Sequence, residues 1–152
     1  MSLNCLFFIV LFGCMTNACA TQPNQFVEEF YRKNISTSDQ INQFKNYTIE
    51  EQYELYKFGN QVVHPPAIYL ASVFAQQGAV IVPYIKGVLV TEEDEVSIRD
   101  IVLIFSELAQ IKLYDFSKDS ELMKLLTQKV YNMKGIWKDN ALSELSEIQK
   151  QR

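Results

Sequence analysis

An all-α fold, a small helical bundle, is what the sequence predicts, and three observations predict it. Apolar residues make up 48% of the 152 residues and aromatic residues 12%, enough to bury a core and too many for a disordered chain. Glycine and proline are scarce, at five and four residues, and so few turn formers favour helices over many short strands. After residue 25 the apolar side chains recur at three- and four-residue spacing, the period of a helix with one buried face.

The first element lies apart from that pattern. Residues 5–14, Cys-Leu-Phe-Phe-Ile-Val-Leu-Phe-Gly-Cys, form an uncharged apolar run of the length of a signal h-region. It falls short of the ~20 apolar residues that span a bilayer. Ala18-Cys19-Ala20 fits a small-residue cleavage site, which makes 1–20 a signal peptide, 21–25 a linker and 26–152 one helical domain. The run Leu11-Phe12-Gly13-Cys14 resembles a bacterial lipobox, with bulky Phe12 where a small residue is usual. Cys14 is therefore a candidate lipidation site, and Cys19 is a second. A buried core helix is the competing reading, and Pro23 among the polar residues 21–24 speaks against it. Cys5, Cys14 and Cys19 are the only cysteines, so cleavage after Ala20 leaves no disulfide and no cysteine-based metal or redox site.

In the mature part, Phe26, Val27, Phe30 and Tyr31 mark a first short helix ending near Lys33. Ser36 to Asp39 is a cap cluster opening a second, with Ile41 and Phe44 on one face. Thr48-Ile49-Glu50-Glu51 is a capping box that opens a third, which Gly59 or the pair Pro65-Pro66 ends. With Pro66 in its first turn, the next helix runs from Ala67 to Gln77, and Gly78 takes the left-handed position after it. Val80 to Val82 is β-branched and is read as the start of a partner helix, with a short strand as the alternative. Thr91 is the next expected cap, with Glu92 to Glu95 in the first turn, where the helix dipole favours anions. Val96 to Ile111 is apolar nearly all round, as suits a helix at the centre of the core. Ser117 is expected to cap the following helix, Gly135 to break it, and a last helix to begin near Asn140.

The stretch Ala75-Gln76-Gln77-Gly78-Ala79-Val80-Ile81-Val82-Pro83-Tyr84-Ile85, within a helix–turn–helix–loop–helix segment from Pro66 to Leu108, resembles a HEAT-type repeat. There two antiparallel helices stack on the next pair, and a Val-Pro dipeptide opens the second helix. The likeness covers roughly a third of the chain, and no second copy follows at a period of ~40 residues. It implies HEAT-like stacked helix pairs and a surface that binds other proteins.

The chemistry readable in the sequence is narrow. His64 is the only histidine, which excludes two-histidine metal sites and leaves any histidine-dependent catalysis to that one ring. No phosphate-binding loop, dinucleotide fingerprint, zinc spacing or Gly-x-Ser-x-Gly elbow is present. No catalytic residue is assigned, and no metal or cofactor is expected. A net charge of −4 without a basic cluster argues against nucleic acid as a partner. The acidic run Glu92–Glu95 lacks the alternation of a calcium loop and is read as a helix start. The candidate binding residues are Tyr53, Tyr56, Asn60, His64, Tyr69 and Tyr84, because tyrosines with an exposed edge offer rigid contact area. The competing reading is core tyrosines with hydroxyls at the rim. Trp137 is read as an anchor closing the core, with an exposed contact residue as the alternative.

These observations converge on an exported, non-enzymatic protein-interaction module, periplasmic or held at a membrane only through a lipid anchor, whose partner is another protein. An immunity-type inhibitor of a toxin is one concrete form. The alternatives are an envelope hydrolase using His64 as base with Glu51 or Glu54, and a structural lipoprotein of an envelope complex.

Overall fold

A computed structural model of the chain describes residues 25–32 and 34–151. The expected signal segment with Cys14 and Cys19, and most of the expected linker, lie outside the described residues. Those described form eight α-helices and no strand: α1 (Gln25–Arg32), α2 (Thr37–Phe44), α3 (Ile49–Gln61), α4 (Tyr69–Ala75), α5 (Val82–Thr91), α6 (Glu95–Gln110), α7 (Ser120–Asn132) and α8 (Lys138–Lys150). Short 3-10 turns at Gly78–Ile81 and Phe116–Lys118 precede α5 and α7.

The all-α bundle is as the spacing predicts, and α6 is its centre. Ile98, Ile101, Val102, Ile104, Phe105 and Leu108 are buried around most of its circumference, because α3, α4, α5, α7 and α8 all pack against it. The broadest of these contacts is with α8, which turns Ala141, Leu145 and Ile148 inward at helical spacing. Aromatic rings seal the other end. Phe30 of α1 meets Phe44 of α2 and Tyr47 with centroids 6.4 and 6.0 Å apart, and Phe44 meets Phe74 of α4 edge-on at 6.2 Å. Such edge-to-face pairs add about 0.5–1.5 kcal/mol each to the area they bury.

Helix starts follow their side-chain caps. Ser36 accepts the amide of Asp39 at 3.1 Å. The Thr48 box closes in both directions, with Glu51 N–H on the Thr48 hydroxyl at 3.3 Å and Thr48 N–H on the Glu51 carboxylate at 2.9 Å. Two predicted caps move. Thr91 is instead the last residue of α5, its hydroxyl turned back to donate to the Val88 carbonyl at 3.3 Å, and Asp94 caps α6 by accepting Ser97 N–H at 2.8 Å. Asp119 rather than Ser117 caps α7, because its carboxylate takes Leu122 N–H at 2.9 Å while also accepting from the Tyr114 hydroxyl at 2.7 Å and from Lys86 at 3.2 Å.

Four further details are decided by the structure. Gly59 does not end α3, which continues to Gln61. The site is bare of side chain because the Tyr31 ring of α1 and the Ala67 methyl lie against it. Pro66 does not enter α4, which begins at Tyr69, because the Ala67 amide is already donated to the Gly59 carbonyl at 3.0 Å; the peptide between His64 and Pro65 is cis. The stretch containing Val80 and Ile81 is a 3-10 turn and not a strand, and it follows Gly78, which does take the left-handed conformation at φ 70°. The last helix begins two residues earlier than expected, at Lys138. Among the described residues no single helix is long and apolar enough to cross a membrane. Together α4 and the segment Gly78–Thr91 are long and apolar enough, but they meet at 104° and bury Leu70, Phe74, Ile81, Ile85 and Leu89 in the core.

Candidate functional site

The C-terminal end of α3, the connection into α4, the N-terminal half of α6 and the α7–α8 loop come together on one side of the bundle. A groove of about 850 Å³ opens there. Its polar floor is built from α3 and α6. Asp100 is completely buried and would be costly to leave unpaired. Asn60 donates to its Oδ1 at 2.5 Å, Gln61 to its Oδ2 at 2.9 Å, and Arg99 Nε to its Oδ1 at 2.9 Å, with a second Arg99 nitrogen on the same oxygen. Below, the Tyr56 hydroxyl donates to the Asp100 carbonyl at 3.1 Å. Burial pushes the Asp100 carboxyl above the usual carboxylate range, against the pull of Gln61, Arg99 and Asn60.

Over this floor the Trp137 ring covers the Arg99 guanidinium, whose central carbon lies 4.2 Å from the ring centroid. A stacked, partly desolvated pair of this kind contributes on the order of 0.5–2 kcal/mol. The loop that carries Trp137 is held at a second point. The Glu95 carboxylate accepts Lys134 N–H at 2.6 Å and Gly135 N–H at 2.7 Å. Glu95 and Arg99 stand one turn apart on α6, so one helix face grips the loop through both its backbone and its tryptophan. A Cβ on Gly135 would lie 2.5 Å from the Glu95 oxygen, so glycine is what lets the carboxylate approach.

The walls are apolar. Ile68 is 53% exposed, Ile136 86% and Trp137 38%, and all three line the groove, with half-buried Leu103 and Val96 behind them. Asp94 and Glu144 line it as well. Among the described residues neither is ion-paired, whereas Arg99 is neutralised by Asp100 and Lys57 is paired with Glu92 at 3.4 Å. The backbone amide of Ser97 holds the Asp94 carboxyl below its ordinary value, so it is an anion at neutral pH. The walls therefore carry net negative charge.

Of the residues singled out in the sequence, the groove brings together Asn60, in its floor, and exposed His64, on its rim. The tyrosines do not join them as a surface. Tyr53 and Tyr56 are 2% and 0% exposed and lack the exposed edge expected of contact residues; they are core residues, because α3 turns that stripe onto α6. Tyr84 meets Tyr53 edge-on at 5.9 Å, and Tyr69 donates to Gln40 of α2. Trp137 does not close the core; it stands at the groove rim. The Glu51 carboxylate is spent on the capping box, about 15 Å before the end of α3 at 1.5 Å per residue, with Glu54 about 10 Å before it. The structure does not assemble either with His64 as an acid–base pair.

The acidic run is taken up by the scaffold. Burial raises the Glu92 carboxyl, but the amides of Asp94 and Glu93 together with Lys57 outweigh it and leave it lowered. Lys129 donates to the Glu92 carbonyl at 2.6 Å and to Glu93 at 3.0 Å. Among the described residues no group of three or more metal-ligating side chains gathers. The sequence reading missed Arg99, Ile68 and Ile136; an exposed Ile-Trp pair next to a glycine was the available signal for the last. Comparison with protein-family models, with curated proteins and with solved structures returns no match.

Proposed function

We propose that this chain is an exported, non-enzymatic protein-interaction module of the cell envelope, and that the groove between α3, α6 and the α7–α8 loop is its contact surface. The observation that carries this reading is the convergence of Ile68, Ile136 and Trp137, large apolar side chains left open to water, on one groove. Apolar contact area flanked by polar groups is what protein interfaces use, and a central aromatic anchor is their commonest hot spot. The loop bearing two of the three is already fixed by Glu95 and Arg99, so docking costs little ordering entropy. The acidic charge and the absence of a basic cluster favour protein over nucleic acid, and membrane contact is confined to a lipid on Cys14 or Cys19.

A photo-crosslinking side chain placed at Ile136, in the full chain expressed in its own host, tests the contact surface. The expected result is one discrete adduct at this site and none from the same group at Val90, which is 56% exposed on α5 and outside the groove. No adduct, or the same ladder from both positions, defeats the reading. The intact mass of the chain in envelope fractions tests export. A start at Thr21, or at Cys14 or Cys19 with acyl chains, supports it, and an uncleaved Met1 form in the cytosol refutes it.

A further inference from the structure

We infer that the groove's occupant is a polypeptide segment with a basic side chain flanked by apolar ones, the base drawn to the wall that carries Asp94 and Glu144. The inference rests on the interaction reading above. Charge decides the sign of the partner. Among the described residues, Arg99 is the one lysine or arginine that lines the groove; it is cancelled by Asp100 and screened by Trp137, whereas Asp94 and Glu144 line the same space with no ion-pair partner there. A cation entering here is drawn by the field of the two carboxylates, and an anion is repelled by it.

Geometry decides the kind of partner. One face of Trp137 is already occupied by Arg99, and Asp94 and Glu144 are the charged groups left without an ion pair, which makes the carboxylates the place for the incoming charge and the apolar walls the place for its neighbours. Ile136 lines the groove yet is 86% exposed, a ridge standing out from the wall. A small molecule confined to the groove leaves that ridge in water, and a chain lying along the groove covers it.

Selection of a random peptide library displayed on phage, against the whole protein and with counter-selection on Ile136→Asp, tests this. The expected winners carry Lys or Arg between apolar residues. Trp137 is the only tryptophan in the chain, so its fluorescence reports their binding directly at the rim. Their affinity is expected to fall about 3- to 10-fold in Asp94→Asn with Glu144→Gln, and to fall as salt is raised, as for partly exposed ion pairs. Asn still caps a helix, and Glu144→Gln alone gives the same direction without touching the cap. Groove-dependent peptides without a basic residue, or basic ones indifferent to both substitutions, overturn the charge assignment and leave the interaction reading standing. No groove-dependent peptide at all sinks both.

Discussion

Replacing Gly59 with alanine sets two opposed effects against each other. The residue lies inside α3, where alanine is worth ~0.5–1 kcal/mol over glycine. Its Cβ, however, would fall 1.9 Å from the Tyr31 hydroxyl oxygen, 2.6 Å from the ring carbon bearing it and 2.9 Å from the Ala67 methyl. The methyl sits on backbone pinned by the Ala67–Gly59 hydrogen bond, so Tyr31 must yield. Its hydroxyl then leaves the Leu55 carbonyl, now 2.7 Å away, at about 1 kcal/mol, and its ring loses the edge contact with Phe30 at 4.8 Å, worth ~0.5–1.5 kcal/mol. With residual crowding of ~1 kcal/mol or more, Gly59→Ala is expected to destabilise by ~2–3 kcal/mol net. Urea unfolding followed by far-ultraviolet circular dichroism measures this. In a Tyr31→Ala background the cost should shrink by at least ~1 kcal/mol, because the clashing partner is gone. A Gly59→Ala protein as stable as the parent, or an unchanged cost in the Tyr31→Ala background, refutes the close-approach argument.

The Asp100 carboxyl has its folded pKa raised, so its contribution to stability is full below about pH 4, the unfolded value, and is lost as pH rises through the raised folded pKa. The unfolding free energy of the parent minus that of Asp100→Asn should therefore decline with rising pH across that window, and a flat or rising difference contradicts it. Glu95→Ala should raise amide hydrogen exchange at Lys134 and Gly135 without unfolding α6, since it removes the acceptor of both; unchanged protection there means that the loop is held otherwise. Tyr53→Phe should leave stability unchanged or raise it by ~1 kcal/mol, because the buried hydroxyl has no hydrogen-bond partner among the described residues. A thermal melt that moves down shows that the hydroxyl is satisfied.

The fold was legible where local chemistry decides structure. The Thr48 box, the Ser36 cap and the all-round apolar pattern of α6 are written within single turns of chain, and they stand as read. The misplaced features depend on partners distant in sequence. Asp119 prevails over Ser117 because Lys86 and Tyr114 reach its carboxylate, and Gly59 marks an approach by Tyr31, 28 positions earlier, which no local pattern encodes. The site follows the same rule. Asn60 and His64 were within reach, because the chain must turn at the proline pair. Tyr53 and Tyr56 proved to be buried, since periodicity gives a stripe without saying what covers it. The Arg99–Trp137 stack needed the loop's return to α6 to become visible.

The loop between α7 and α8 is anchored largely through main-chain amides, those of Lys134 and Gly135. Main-chain amides are the same whatever side chain they carry. Position 136, which leads into the groove, is therefore free to change without loosening the hold at Glu95, and Gly135 alone is fixed by the anchor itself. The scaffold thus separates what holds the loop from what the loop displays. On the proposed reading, a new preference of partner can arise by exchange at one exposed position while the core and the clamp stay as they are.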